Sequence, residues 1–340
     1  MRIAIVTDAW APQVNGVVRT LEATRAHLLA AGHEVLVIAP DAFASLPCPT
    51  YPEIRLALAG RSAVGRRLAA FAPHAIHVAT EGPLGLAARR WCGVRALPFT
   101  TAYHTQFPDY VSARTGVDPE WVWRYVRWFH AAAEAVLVST PTIADTLHHH
   151  GLAHTRLWGR GVDLDCFTPT GATDPTIRAL PGPVLLYVGR VAVEKNLDAF
   201  LAAPVACSKV VIGDGPALAT LQQRFPAAHF LGRRSGAALA AAYRSADAFV
   251  FPSRTDTFGL VMIEAIACGT PVAAFPVAGP IDVLTGATGA MNDDLGRAID
   301  TALTLDRAAC AAAGQRFTWA ASTEQFLAAL QPIGAARLAA

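Results

Sequence analysis

Short runs of consecutive apolar, β-prone residues alternate with longer amphipathic or alanine-rich stretches through the whole chain. In the first half these runs are RIAIVTD, EVLVIAP, AIHVAT, ALPFTTAY and AVLVST. They lack the polar–apolar alternation of a half-exposed strand, so each is expected to be covered on both faces. Such strands, separated by helices, predict an α/β fold with a doubly wound parallel sheet.

The same rhythm restarts after DLDCFTPTGATDPTIRALPGP, a segment rich in Pro, Gly and Thr. The second set of runs is VLLYVGR, KVVIGDGP, AAHFLG, ADAFVFPS and TPVAAF. A chain of 340 residues with 53% hydrophobic residues is long enough for two domains with cores of their own. We predict two facing Rossmann-like domains, residues 1–168 and 183–315, with a linker at 168–182 and ligands at the carboxyl ends of the strands.

Charge, cysteine usage and hydropathy exclude several classes of protein. The net charge is only +2 and no basic tract is interleaved with aromatic residues, so we expect no nucleic-acid partner. The six cysteines form no CxxC pair, which argues against a zinc ribbon or a disulfide framework and favours reduced thiols in the cytoplasm. The first run reads as a strand rather than a signal peptide, and no run is long enough to cross a bilayer, so any membrane contact is expected to be peripheral.

The stretch TDTFGLVMIEA, residues 255–265, reads as a buried helix that starts at a turn containing glycine. A helix that begins near Phe258 would present unpaired backbone N–H groups at its positive end, which is suited to an anion. Gly259 would let the anion come close. The predicted N–H donors belong to Phe258, Gly259, Leu260 and Val261.

Carboxylates stand on both sides of this helix start, at Asp256 and Glu264. Their separation of eight residues corresponds to about 12 Å at the helical rise, which can straddle a diphosphate. Because carboxylates only accept hydrogen bonds, they suit vicinal diols, so Glu264 is interpreted as a ribose ligand and Asp256 as a ligand of a sugar beyond the phosphates. The alternative is that Asp256 caps the helix and Glu264 is a surface charge.

A second cluster lies in YVGRVAVEKN, residues 187–196. Arg190 follows a strand, and Lys195 stands where the next helix is expected to begin. A planar guanidinium and a compact ammonium at the carboxyl end of a strand suit a diphosphate. Lys195 and Lys209 are the chain's two lysines, so a lysine here is unlike the arginine-rich surface elsewhere.

The stretches GRVAVEKN and SRTDTFGLVMIEAIACGTPV resemble those of retaining GT-B glycosyltransferases of the family-4 type, which carry GR-x-x-x-EKN and acidic-x7-Glu motifs. The resemblance extends to DAWAPQVNGVVRT, TEGPLG, AYHTQFPDY and GRGVD, and covers nearly the whole chain. FTWAASTEQFLAAL resembles the helix that crosses back to the first domain in such enzymes, which implies a C-terminal segment, residues 316–340, of that kind. The implied fold is GT-B.

The resemblance also implies roles for individual residues. Arg190 and Lys195 would hold the donor diphosphate, Glu264 the ribose, and Asp256 the donor sugar, together with the backbone of residues 258–261. Many relatives have Glu where this chain has Asp256. The implied chemistry is same-face attack in which a phosphate oxygen takes the acceptor proton, without a bound metal or cofactor, so we assign no general base.

From the first domain, the resemblance brings the Asn15–Gly16 turn towards the donor and places His104 beside the transferred sugar. His104 is interpreted as a donor contact; a proton shuttle and a satisfied loop histidine remain alternatives. DLD at 163–165 is interpreted as a turn, and HHH at 148–150 as a helix end, rather than as metal sites.

The acceptor is predicted to be a lipid or a glycan. TEGPLG and AYHTQFPDY resemble loops of bacterial GDP-mannose-dependent α-mannosyltransferases and of sulfoquinovosyl-diacylglycerol synthases. The arginine-rich segment 61–74 has an apolar stripe that would either lie on an anionic membrane or pack on the sheet. The base pocket is expected in residues 229–236, with Gly232 and Arg233 as candidates.

The predicted function is therefore transfer of a hexose, α-mannose from GDP-mannose as the first choice, to an envelope glycolipid or polysaccharide. A UDP-sugar-dependent diacylglycerol glycosyltransferase is the second reading. A nucleotide-sugar epimerase would turn over donor without acceptor, and a phosphorylase would need a longer chain and a pyridoxal-phosphate lysine. A non-catalytic nucleotide-sugar-binding subunit is the alternative outside the enzymes.

Overall fold

The computed structural model of the protein describes residues 1–13, 15–48, 51–106, 108 and 116–334. The chain forms two compact units, one of residues 1–160 with 319–340 and one of residues 161–318. The segment 168–182, expected to be a linker, lies inside the second unit, where Ile177 is fully buried in the core. The turn-forming composition of that segment therefore reflects a surface connection, not a boundary between units.

The first unit is built on a parallel sheet in the order β2-β1-β5-β6-β7-β8. Its strands are Arg2–Val6 (β1), Glu34–Ile38 (β2), Ala75–Val78 (β5), Thr100–Tyr103 (β6), Ala135–Val138 (β7) and Thr155–Leu157 (β8). An antiparallel hairpin, Ser45–Cys48 (β3) and Tyr51–Ala57 (β4), lies beside it. The strand order reverses between β1 and β5, so ligands are expected outside the carboxyl ends of these two strands.

Helices cover both faces of this sheet and bury its apolar strands. They are Gly16–Ala30 (α1), Arg61–Phe71 (α2), Pro83–Val94 (α3), Pro119–His130 (α4), Pro141–His149 (α5) and, from the C-terminal segment, Trp319–Ala329, with a 3₁₀ turn at Pro40–Ala42. The C-terminal helix packs on α1. Its Phe326 is fully buried, and the Phe326 ring centroid lies 5.0 Å from the ring centroid of His77 and 5.0 Å from that of Trp158.

The second unit has a parallel sheet in the order β11-β10-β9-β12-β13-β14. Its strands are Val184–Val188 (β9), Ser208–Ile212 (β10), His229–Phe230 (β11), Ala248–Phe251 (β12), Val272–Ala274 (β13) and Gly289–Met291 (β14). This is the Rossmann order, and it reverses between β9 and β12. The loops that follow these two strands carry the residues singled out in the sequence.

The helices of the second unit enclose two apolar clusters, one on each face of the sheet. They are Pro175–Arg178 (α6), Leu197–Ala202 (α7), Leu218–Arg224 (α8), Gly236–Ser245 (α9), Leu260–Ala267 (α10), Pro280–Val283 (α11), Leu295–Ala302 (α12) and Arg307–Gly314 (α13), with a 3₁₀ turn at Val193–Lys195. In chain order, the C-terminal helix of the first unit is α14.

The prediction of two doubly wound α/β domains is confirmed, and each of the ten apolar runs contains a strand. The sequence reading missed the β3–β4 hairpin and the short strands β8 and β14. In the described part of the chain, no helix is both long enough and apolar enough to cross a bilayer.

Candidate active site

An ion pair joins the two loops at the switch point of the second sheet. Lys195 follows β9 and Asp256 follows β12, and the Lys195 Nζ donates a hydrogen bond to the Asp256 Oδ1 at 2.6 Å. The two side chains are 24% and 26% exposed, so both remain accessible. Asn196, in the left-handed conformation with φ of 54°, donates a second hydrogen bond between the loops, from its Nδ2 to the carbonyl oxygen of Pro252 at 3.1 Å.

The charge of Asp256 is set by opposing effects. Burial raises its pKa, but the positive charge of Lys195 and hydrogen bonds from Lys195 and Ser253 outweigh burial, and the pKa lies below its ordinary value. The carboxylate is therefore ionised at neutral pH. The alternative reading of the sequence made Asp256 a helix cap. The structure instead pairs its carboxylate with Lys195 on the neighbouring loop.

Arg190 is held at the end of β9 by its backbone. The Tyr187 hydroxyl donates to the Arg190 carbonyl at 2.8 Å. Gly189 between them has φ of 151°, and a Cβ there would lie 2.8 Å from the Tyr187 hydroxyl oxygen. Burial, with the nearby charges of Asp256 and Glu194, raises the pKa of Tyr187 well above its ordinary value, so the phenol stays protonated and keeps its donor.

Helix α10 begins at Leu260, two residues later than the pattern predicted. Gly259 is the N-cap, with φ of 85°, a left-handed conformation that cannot continue a helix and that favours glycine. A Cβ at this position would also lie 2.8 Å from the ring of Phe251 and 2.9 Å from the Met262 side chain. The helical N–H groups are therefore those of Leu260 and Val261, while Phe258 lies in the preceding turn.

Glu264 is not a surface charge. It is 2% exposed, on the second turn of α10. The hydroxyl of Tyr243, at the end of the neighbouring helix α9, donates to its Oε2 at 3.0 Å. A carboxylate buried in this way requires hydrogen-bond donors, and the hydroxyl holds one oxygen in a defined position.

A glycine loop after β10 completes this edge of the second sheet. Gly213 and Gly215 have φ of 152° and 156°. A Cβ on Gly213 would lie 1.8 Å from the Gly189 carbonyl oxygen, so only glycine fits beside the β9 loop. The Gly213 N–H donates to the Gly232 carbonyl at 2.9 Å, which places Gly232 beside this loop, and Gly232 and Arg233 are both exposed. The signal for this loop in the sequence is the IGDGP pattern after a strand, to which no role was assigned.

In the first unit, His104 follows the carboxyl end of β6. The Nη2 of the buried Arg160 lies 3.1 Å from the His104 Nδ1. The Trp158 ring packs edge-on against the imidazole, with 5.5 Å between the two ring centroids. Burial lowers the pKa of His104 well below its ordinary value, and the charge of Arg160 and the neighbouring His77 and His130 lower it further. Burial also lowers the pKa of Arg160, to about 9, so the guanidinium is still charged at neutral pH.

The Asn15–Gly16 pair starts helix α1. The Asn15 Oδ1 accepts from the N–H groups of Val17 and Val18, each at 3.0 Å, so Asn15 is the helix cap. Gly16 is the first helical residue, and both are exposed. Of the predicted loop AYHTQFPDY, Phe107, Asp109 and Tyr110 lie outside the described residues, as do residues 335–340 of the C-terminal segment.

Asp8 is a polar residue at the switch point of the first sheet that the sequence analysis missed. It is 7% exposed, and its carboxylate accepts from the Thr80 hydroxyl at 2.8 Å and from the Leu84 N–H at 2.9 Å. Burial raises its pKa despite these hydrogen bonds. The sequence signal for Asp8 was a carboxylate directly after the first strand. Through these hydrogen bonds Asp8 links the start of α3 to the end of β1.

Three other segments singled out in the sequence have structural roles. In the segment 61–74, Val64 and Leu68 are fully buried, so the apolar stripe packs in the core. Asp163 accepts from the N–H groups of Asp165 and Cys166, which makes DLD a turn. Residues 148–150 end helix α5. Within the described ranges, no group of three or more His, Cys, Asp or Glu side chains is placed to hold a metal ion.

The fold has close counterparts among solved structures. Sucrose-phosphate synthase from Thermosynechococcus elongatus superimposes with a TM-score of 0.74 over 96% of this chain and 97% of that one, at 24% identity. At this identity the likeness concerns the fold. The two parallel-sheet units and the residues at their switch points place the chain in the GT-B class of glycosyltransferases.

The sequence matches narrow this class to one family. The model described as Glycosyltransferase Family 4 matches residues 14–166, and that described as Glycosyl transferases group 1 matches residues 182–305. A GDP-mannose-dependent alpha-mannosyltransferase from Mycolicibacterium smegmatis is 35% identical over 84% of this chain and 82% of its own length. The sulfoquinovosyl transferase SQD2 from Arabidopsis thaliana is 33% identical over 71% and 50%, respectively. The chain belongs to glycosyltransferase family 4, as its motifs indicated.

Proposed function

We propose that the protein transfers α-mannose from GDP-mannose to a lipid or glycan acceptor, with retention of configuration and without a metal ion or other cofactor. The observation that carries this proposal is the Lys195–Asp256 pair at the switch point of the second sheet, beside the start of α10. The name of the mycolicibacterial relative supports the choice of donor.

The diphosphate is bound by Arg190, Lys195 and the N–H groups of Leu260 and Val261. The two cations lie on the loop after β9, and the positive end of α10 belongs to the segment after β12. Together they supply the charge that a metal ion supplies in other transferases. Cleavage of the anomeric C–O bond places negative charge on the departing phosphate, so these groups stabilise the transition state more than the ground state.

Asp256 and Glu264 recognise hydroxyl groups. The buried Glu264 accepts from the ribose, with one carboxylate oxygen fixed by Tyr243. Asp256 accepts from a hydroxyl of the transferred sugar, and its pairing with Lys195 keeps it ionised and oriented. Gly232 and Arg233 contribute to the base pocket beside the glycine loop.

His104 contacts the donor sugar as a neutral hydrogen-bond donor and is not the proton shuttle. Since the Arg160 guanidinium has no acceptor atom, the His104 Nδ1 must accept, and the ring hydrogen lies on Nε2. Asn15 and Gly16 contribute backbone at the start of α1. The acceptor proton passes to a phosphate oxygen of the leaving group, so the mechanism needs no side chain as general base.

The acceptor is a lipid or a glycan, and the protein works peripherally on an anionic membrane. The apolar stripe of segment 61–74 is buried in the core, so we do not assign the membrane contact to this segment. The second candidate function is transfer of a glucosyl, glucuronosyl or sulfoquinovosyl group from a UDP-sugar to diacylglycerol. The match to the plant sulfoquinovosyl transferase is the observation that favours it.

Calorimetric titration with GDP-mannose, UDP-glucose, UDP-glucuronate, GDP and UDP, in the presence of a metal chelator, tests the proposal. Binding of GDP at least tenfold tighter than that of UDP is expected. The reverse preference would move the assignment to the UDP-sugar candidate. If none of the five ligands binds unless a divalent cation is added, metal independence is wrong. If none binds under either condition, the protein is neither a glycosyltransferase with this donor site nor a non-catalytic nucleotide-sugar-binding subunit.

A further inference from the structure

Helix α4 carries two large aromatic side chains on the face opposite its buried one. Trp121 is 62% exposed and Trp128 is 45% exposed, while Trp123, Val126 and Phe129 are buried. Tryptophan is seldom this exposed in a folded protein, so a pair on one helix marks a surface that something else covers.

The two tryptophans lie along one stripe of the helix. Trp121, Arg124 and Trp128 are spaced i, i+3 and i+7, which places them on the same side, and the two rings are separated by about 10 Å along the axis at the helical rise. All three are exposed. We refer to these three residues as the tryptophan face.

One arginine guanidinium packs against each of the two tryptophan rings. The Arg124 guanidinium lies 4.7 Å from the Trp121 ring centroid, and the Arg89 guanidinium, from α3, lies 3.9 Å from that of Trp128. Arg89 also donates to the Trp128 carbonyl at 2.8 Å, which fixes its position. Arg90, the next residue on α3, is exposed, and its charge acts on Tyr125 of α4, so it lies close to this helix. The tryptophan face therefore combines apolar surface with positive charge.

The acidic residues of α4 are already engaged elsewhere. Glu120 forms an ion pair with Arg127 at 2.5 Å. Asp118 caps the start of the helix through its hydrogen bond with the Glu120 N–H. Glu120 lies one turn before Arg124, but its charge is offset by Arg127, and Asp118 lies at the helix start. The charges left beside the tryptophans are the positive ones of Arg124 and Arg89.

We propose that the tryptophan face, with Arg90 beside it, docks the protein on an anionic lipid bilayer. The proposal rests on the lipid acceptor proposed above and names the surface that brings the protein to it. Tryptophan prefers the bilayer interface, where its ring meets acyl chains and its N–H meets head groups, and arginine is attracted to anionic lipids. A second copy fits less well, because a two-fold contact through this face would bring its arginines together.

Flotation with vesicles tests this surface. The probes are vesicles of phosphatidylcholine alone and of equimolar phosphatidylcholine and phosphatidylglycerol, without donor or acceptor. The wild type is expected to float with the anionic vesicles and not with the neutral ones. W121A/W128A removes two interfacial rings, and R90Q/R124Q removes two positive charges. Each double substitution should reduce the bound fraction by about fivefold or more.

R61Q/R66Q on α2 is the matched control, since it removes the same number of exposed arginines from another helix of the same unit. It should float like the wild type. Trp121→Ala alone, which leaves the Arg89–Trp128 contact intact, should show a partial loss and guards against misfolding of the double variant. Unchanged flotation of W121A/W128A, or an equal loss in R61Q/R66Q, would overturn the proposal.

Two further measurements separate this proposal from the assigned function. Sedimentation without lipid reports on a second copy: self-association of the wild type that W121A/W128A abolishes would assign the face to a dimer instead. GDP binding in solution should be equal in wild type and W121A/W128A. If the wild type floats as expected but binds no nucleotide, the donor assignment fails while the docking surface stands.

Discussion

Arg160 and His104 form a hydrogen bond whose direction fixes the histidine tautomer. The Arg160 Nη2 donates to the His104 Nδ1 at 3.1 Å, and Arg160 is held in turn by the Gly159 carbonyl at 3.1 Å. Burial and then the Arg160 charge lower the His104 pKa, which keeps the imidazole neutral, and the hydrogen bond from Arg160 places the ring hydrogen on Nε2. Given the donor contact proposed for His104, we expect Arg160 to act as a positioning residue through it.

Replacement of Arg160 should change the pH profile of transfer as well as its rate. The wild-type His104 pKa lies well below 6.5, so on acidification from neutral pH the ring stays neutral. Arg160→Met removes the second cause of the shift and leaves burial, which is the largest, so the pKa of His104 rises but stays below its ordinary value, and protonation begins at higher pH. The acid limb of kcat/KM should therefore move to higher pH, measured on protein shown to be folded at each pH.

Arg160→Lys is the conservative control, because it keeps both a donor and a positive charge. It should restore the position of the acid limb even if the rate stays reduced. The histidine itself offers a matched pair: His104→Gln keeps a side-chain N–H donor and should be the milder substitution, while His104→Ala should lose about 10–100-fold in kcat/KM. An acid limb that does not move in Arg160→Met would leave Arg160 with a structural role alone.

Substitution of Lys195 should affect catalysis, whereas substitution of Lys209, the other lysine of the chain, should affect stability. Lys195→Met removes a cation from the proposed diphosphate site and should lower kcat/KM by about 100-fold or more, as loss of preorganised charge does elsewhere. Lys209 donates to the carbonyl oxygens of Leu201 and Ala203, at 2.8 and 2.6 Å. Lys209→Met should instead lower the unfolding free energy by about 1–3 kcal/mol with little change in KM for the donor.

Both lysine variants are to be measured by steady-state transfer and by urea denaturation. The Lys195 variant has a second readout, because the lysine charge lowers the pKa of Asp256. Without it, burial is opposed only by the hydrogen bond from Ser253, so the Asp256 pKa rises, and the stability that its depressed pKa contributes at neutral pH is diminished, with less of the unfolding free energy lost on acidification. Equal effects of the two substitutions on kcat/KM would contradict a special role for Lys195.

Glu264 and Tyr243 should affect donor binding to different degrees. Glu264→Gln removes the charge but keeps the shape, and should weaken GDP binding by about tenfold or more, since hydrogen bonds to charged groups contribute about 1.5–3 kcal/mol. Tyr243→Phe leaves the carboxylate in place and removes only the hydrogen bond from the Tyr243 hydroxyl, so a smaller loss is expected. Calorimetry with GDP and with free phosphate as a control checks both; a larger effect of Tyr243→Phe than of Glu264→Gln would argue against direct ribose contact.

The sequence pointed to individual residues of the second unit but not to their partners. Lys195 and Asp256 stood out from their own local motifs, yet their contact depends on β9 lying next to β12, and the alternation of strands and helices does not order strands within a sheet. Tyr243 lies 21 residues before Glu264 on another helix, and their hydrogen bond results from the packing of α9 on α10. Pairing across elements is a tertiary property.

The elements missed in the sequence lack the patterns that reveal strands. Pro47 lies in β3 and Pro52 in β4, and in a sequence proline argues against a strand because it removes a ladder donor. Strands β8 and β14 have three residues each, too few for a periodicity to show. The late start of α10 depends on the positive φ of Gly259, which composition alone does not specify.

The buried His77 should make the protein less stable in acid. Burial and then the charge of Arg160 lower its pKa to about 3. Between pH 6.5 and about 3, the unfolded state binds a proton that the folded state does not, so the unfolding free energy falls by up to about 1.4 kcal/mol per pH unit from this group. His77→Gln, which can still hydrogen-bond to Thr100, should show a shallower acid dependence in urea denaturation; an unchanged slope would contradict this origin.

Gly213 and Gly232 offer a matched test of the glycine loop. Both have positive φ, so alanine at either position carries backbone strain of about 1 kcal/mol. At Gly232 a Cβ has nothing within 4 Å, whereas at Gly213 it would lie 1.8 Å from the Gly189 carbonyl oxygen. Gly213→Ala must therefore push the β10 loop away from the β9 loop that carries Arg190. It should weaken GDP binding and lower the denaturation midpoint well beyond Gly232→Ala, measured side by side; equal midpoints would mean that strain alone acts at both positions.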